Sequence, residues 1–149
     1  MIGKRLLVLG LCLCLIVFAS SAMADIKILE KDTVIQGIKC AKGTRVKFYP
    51  SGKLLYCTLS QDQEIQGIKC AKGCQISFRE SGKLVYVQHL SHDHEIQGMK
   101  CAKGSYVEFY KSGKLKIARL SQDQKIQGIE YKQWTMIFFD KKGKVVRSH

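Results

Sequence analysis

The chain has 149 residues, with 25 Lys and Arg against 12 Asp and Glu, a formal net charge of +13, seven cysteines and one proline. That length suits one continuous core rather than two domains. The basic excess points toward anionic partners such as lipopolysaccharide, phospholipid, nucleic acid or acidic proteins, or toward a solvated, mutually repelling lysine surface.

In chain order, residues 1–24 come first and read as an export signal. Lys4 and Arg5 precede the apolar run from Leu6 to Phe18, and Ala22-Met23-Ala24 offers small residues before a cut at Asp25. A helix crossing a bilayer needs about 20 apolar residues, and nothing after Asp25 approaches that. Cys12 and Cys14 do not make a lipid anchor, because Leu11 stands where that signal takes a small residue. Cleavage removes two basic residues and no acidic ones, so +13 becomes +11. The expected address is periplasmic or secreted.

Residues 25–149 are expected to form a single β-repeat domain. IQGIKCAKG begins at Ile35, recurs from Ile65 and, as IQGMKCAKG, from Ile96; a divergent fourth copy, IQGIEYKQW, starts at Ile126. Residues 25–34 form a partial lead-in, since Leu29, Asp32 and Ile35 match Leu59, Asp62 and Ile65. Within a copy, the IQG glycine reads as a bulge or close backbone approach, and IQGIKCA as a short strand or extended connector. Val46 and Phe48 then alternate with Arg45 and Lys47 as in a half-buried strand, with equivalents at Ile76/Phe78, Val107/Phe109 and Ile137/Phe139. Pro50-Ser51-Gly52-Lys53 is a hairpin turn, and Leu54 to Leu59 a returning strand. The fold class is therefore all-β, tandem antiparallel hairpin repeats. An elongated meander and a β-solenoid both satisfy the pattern.

The hairpin wording V-x-F-Y-x-S-G-K-L, Val46 to Leu54, followed by a spaced return to I-Q-G, resembles bacterial MORN-like repeats of the YwqK type. The resemblance implies an extended β-hairpin array used for binding or assembly, without catalytic residues to carry over. The period here is longer, I-K-C-A-K-G is an insertion relative to that pattern, and the Tyr-Glu-Gly-Trp wording is missing.

Lysines recur in register. Lys53, Lys83, Lys114 and Lys144 form one row, Lys39, Lys69 and Lys100 a second, and Lys42, Lys72 and Lys103 a third. Rows closer than a Debye length of about 8 to 10 Å reinforce one another. Interleaved tyrosines suit single-stranded nucleic acid, but an exported address favours an acidic protein or an anionic envelope polymer or lipid, with peripheral membrane contact. Ser-Gly-Lys is a turn, not a phosphate loop, because the G-x-x-x-x-G-K-[ST] spacing is absent.

Five cysteines follow Asp25, so at least one is unpaired. Cys40, Cys70 and Cys101 share one repeat position and read as small apolar packing. Cys57 and Cys74 have no counterparts and are the first disulfide candidate; Cys70 with Cys74 is the alternative. His92 and His94 replace glutamines and form a candidate metal pair. Tyr131, Trp134, Met136 and Phe138 enrich the fourth copy, either as a cap on the stack or as a ligand-facing aromatic patch. No nucleophile, base and oxyanion donor recur at an interpretable spacing, so the expected function is binding without catalysis and without a cofactor. The alternatives are an assembly protein using strand edges and a small metal-binding protein.

Overall fold

The computed structural model describes residues 25–149, and the proposed signal peptide lies outside the described residues. Among the described residues there are seventeen strands and no helix. β1 (Ile26–Ile28) leads in, and each copy then supplies a short and a longer hairpin. The first copy holds β2 (Thr33–Ile35), β3 (Ile38–Cys40), β4 (Arg45–Phe48) and β5 (Leu54–Thr58); the second holds β6 (Gln63–Ile65), β7 (Ile68–Cys70), β8 (Gln75–Phe78) and β9 (Leu84–Val87). The third holds β10 (His94–Ile96), β11 (Met99–Cys101), β12 (Val107–Phe109) and β13 (Leu115–Arg119); the fourth holds β14 (Gln124–Ile126), β15 (Ile129–Tyr131), β16 (Met136–Phe139) and β17 (Val145–Ser148).

The longer hairpins and β1 join as one nine-stranded antiparallel meander, β1-β4-β5-β8-β9-β12-β13-β16-β17, not closed into a barrel. Two main-sheet strands per copy keep equivalent residues in equivalent orientations, so the meander form holds without coiling into a solenoid. One face of this sheet carries Val46, Cys57, Ile76, Val87, Val107, Ala118 and Ile137, all fully buried. Phe78, Phe109 and Phe139 lie beside them with Leu54, Leu84 and Leu115, and Phe48 packs against the cluster half-buried. The short hairpins add Ile65, Ile68, Cys70, Ile96, Met99 and Cys101 to the same core, and Leu59, Leu90 and Leu120 fill the bridges between layers. Each such Phe or Leu contributes roughly 1.5 to 3 kcal/mol.

The IQG segment differs from its expected form. Ile35 pairs with Ile38 across Gln36 and Gly37, at φ 50° and 82°, which is a two-residue type I′ hairpin turn. IQGIKC is thus the tip and returning strand of a hairpin of its own: the short-strand reading holds for Ile38–Cys40, whereas Gly37 forms a turn and not a bulge. The bulge lies elsewhere: Lys47 faces Tyr56 while Phe48 faces Leu54, leaving Leu55 as the extra residue. Val85, Lys116 and Val146 repeat this. Proline-containing Tyr49-Pro50-Ser51-Gly52-Lys53 turns as expected, with the Gly52 N–H donating to the Tyr49 carbonyl and the Tyr49 N–H to the Lys53 carbonyl, both at 2.8 Å.

Glutamine side chains tie the two layers. Gln36 donates through Nε2 to the Gly52 carbonyl (3.0 Å) and accepts from the Leu54 N–H (3.1 Å). Gln66, Gln97 and Gln127 make the same pair of bonds in the later copies. A second glutamine links neighbouring short hairpins: Gln63 donates to the Gly37 carbonyl and accepts from the Lys39 N–H, as Gln124 does with Gly98 and Lys100.

Candidate functional site

Lys53, Lys83, Lys114 and Lys144 follow the glycines of the long-hairpin turns, and all four are exposed. Because every such turn lies at the same end of the main-sheet strands, the four line one rim. Two strands per copy at about 4.8 Å spacing set neighbours about 10 Å apart. That is near the Debye length at physiological salt, so the fields of neighbouring lysines overlap. Among the described residues none of the four enters an ion pair. In the last two copies Lys111, Lys141 and Lys142 join them on the same turns, while Lys114 donates through Nζ to the Lys142 carbonyl (3.2 Å).

The second row is electrostatically different. Lys39, Lys69 and Lys100 are exposed on β3, β7 and β11, but the hairpin register sets Lys69 opposite Glu64 and Lys100 opposite Glu95. Opposite charges facing across a hairpin offset one another. Lys39, facing Val34, has no such neighbour. Lys42, Lys72 and Lys103 occupy turns at the far end of the sheet strands, where their N–H groups donate to Asp32, Asp62 and Asp93 at 2.8 Å.

All five described cysteines are buried free thiols. The Cys40 and Cys70 thiols donate to the Ile38 and Ile68 carbonyls at 3.5 and 3.4 Å and lie within hydrogen-bonding reach of Cys57 and Cys74 respectively. Cys74 is also close enough to Cys57 to influence it electrostatically, so four thiols share one region of the core. Hydrogen bonding holds Cys40 and Cys74 below the ordinary thiol range, and the same bonds together with burial push Cys57 and Cys70 above it. Cys74 takes the place of Thr44 and Ser105, whose hydroxyls donate to the Ala41 and Ala102 carbonyls at 2.6 Å; its thiol donates instead to Gln75 and Gln88 carbonyls. Cys101 stands apart, pushed up to about 12 by burial.

His92 and His94 sit edge to face with ring centroids 5.7 Å apart. Their nitrogens serve the repeat: His94 Nε2 bonds the Gly67 carbonyl (3.0 Å), the place of a stapling glutamine, and His92 Nδ1 bonds the Ser91 hydroxyl (2.8 Å). Asp93 between them accepts from the Lys103 N–H. Among the described residues no group of three His, Cys, Asp or Glu forms a metal-binding arrangement.

The aromatic fourth copy splits by location. Tyr131 packs half-buried against the core, as a cap should. Phe138 lies on the sheet face opposite the short hairpins, with the Arg147 guanidinium 4.2 Å from its ring centroid. Trp134 is 56% exposed and stands at φ 69°, where the other copies have Gly43, Gly73 and Gly104. Holding a bulky side chain in that region costs on the order of 1–3 kcal/mol. Indole burial offsets little of this, so capping does not explain Trp134.

A cleft of about 330 Å³ beside Trp134 is lined by Gln88, His89, Lys103, Tyr106, Arg119 and Met136. His89 is the extra residue of the second copy: Gly67 to Gly98 spans one residue more than the equivalent intervals in the other copies. It is absorbed at φ 59°. The uneven glycine spacing and the glycine-to-tryptophan exchange were the sequence signals for this cleft.

These features define a tandem β-hairpin repeat protein whose distinctive side chains are surface cations. Compared with protein-family models, curated proteins and solved structures, the chain matches none.

Proposed function

We propose that this is a non-catalytic exported repeat module that binds an anionic envelope component, polymer or acidic protein, through the basic rim of its long-hairpin turns. The observation that carries the reading is the unpaired, exposed file of Lys53, Lys83, Lys114 and Lys144 at about 10 Å intervals. Lys39, Lys69 and Lys100 play a lesser part because Glu64 and Glu95 face two of them. A polymer with regularly spaced charges gains from several weak contacts at once, without a preformed pocket.

The test is retention of the chain from Asp25 on immobilised envelope polyanions across a salt series. Wild type should elute at rising salt, and a variant with all four rim lysines changed to Gln should elute at markedly lower salt while keeping its unfolding midpoint. Retention indifferent to salt, or unchanged in the variant, would rule the rim out as the binding surface.

A further inference from the structure

Six non-glycine residues have left-handed backbone among the described residues. Four are the repeated turn glutamines, Gln36, Gln66, Gln97 and Gln127, which the architecture requires. The other two, His89 and Trp134, both depart from the repeat, and both line the same cleft. Strained residues cluster where structure serves a ligand.

The lining has a definite chemistry. Trp134 presents a free indole face, since it is exposed; Tyr106 is half-buried, 6.0 Å from Tyr86, with its hydroxyl on the Met136 sulfur. Arg119 and Lys103 are exposed at the walls, and among the described residues no Asp or Glu lines the cleft. Gln88 adds an amide able to bond hydroxyls. The volume is at the small end of the range for small-molecule sites, about 300 to 1,000 Å³. The exposed Trp134 indole, the His89 imidazole, two cations and, among the described residues, no acid fit a single ring bearing negative charge.

We propose that this cleft binds one acidic sugar ring, stacked on Trp134 with its carboxylate held by Arg119 and Lys103. The choice of sugar over nucleotide rests on the export reading, whereas the cleft does not. It lies at the opposite end of the main-sheet strands from the Ser-Gly-Lys turns, so it is separate from the lysine rim.

Trp134 is the chain's one tryptophan, so its fluorescence reports on this site alone. Titration of the chain from Asp25 with trigalacturonic acid should shift and saturate the emission, while maltotriose and uridine monophosphate should not. By calorimetry, Trp134→Gly and Arg119→Gln should each weaken trigalacturonic acid binding by about tenfold or more. Trp134→Gly restores the glycine of the other copies, so its melting temperature should equal or exceed that of wild type. The four-lysine rim variant should bind as wild type does, which separates this site from the rim. No spectral change at saturating uronide, equal response to maltotriose, tighter binding of the nucleotide, or a Trp134→Gly variant that melts lower would each overturn the proposal.

Discussion

His94 occupies the position of Gln63 and Gln124 but makes one bond where they make two, because an imidazole cannot donate and accept through one amide-like end. The Lys69 N–H lacks the side-chain acceptor that Lys39 and Lys100 have. His94→Gln should therefore raise stability by about 0.5–1 kcal/mol, read as a higher urea midpoint with an unchanged slope. A fall would show that the edge-to-face contact with His92 outweighs the staple. In the sequence alone, His92 and His94 read either as a candidate metal pair or as glutamine-to-histidine drift on an exposed turn. The structural partner of His94 lies 27 residues earlier, and only the stacking of copies brings it near. The thiols were hidden in the same way: repeat position identified Cys40, Cys70 and Cys101 as core, but not that Cys57 would reach Cys40 across the layers.

At the scale of elements, the long hairpin was legible and the short one was not. Alternation of Val46 and Phe48 with Arg45 and Lys47, then a Pro-Ser-Gly turn, specify a half-buried hairpin locally. The short hairpin has three-residue strands on either side of Gln-Gly, and glutamine carries little preference for positive φ. What holds it is the side-chain bonding of Gln36 to backbone 16 and 18 residues ahead. A Cβ at Gly98 would meet no atom within 4 Å, so the cost of Gly98→Ala is conformational, at φ +78°. That substitution should lower stability by about 1–2 kcal/mol, measured by denaturant unfolding. A neutral result would mean that the turn relaxes to another type. The His89 insertion follows the same logic, since an extra residue at the end of β9 is accommodated without breaking Val87–Val107 pairing.

For the whole molecule, the open question is how the sheet ends. Among the described residues β1 and β17 are the outer strands, with Ile26, Ile28 and Val146 exposed. At β1, Lys27 pairs with core residue Val46, so a charge occupies a row that is otherwise apolar. Its ammonium lies 3.1 Å from Asp25 and 5.8 Å from the Phe48 ring centroid. An inward-facing charge discourages another strand from extending the core. Lys27→Val should promote concentration-dependent association of the chain from Asp25 in analytical ultracentrifugation; a variant that stays monomeric would show that the edge is protected by other means.

The antiparallel meander also fixes what such an association would be. With nine alternating strands, β1 and β17 run in the same direction. A translated copy joining β17 to β1 would create a parallel contact, whereas β1 with β1, or β17 with β17, preserves the alternation through a two-fold axis. Adding one full copy of the repeat contributes two more strands and leaves that parity intact. Lengthening this protein by duplication therefore extends its span without giving its two rims the complementary polarity needed for a head-to-tail antiparallel fibre.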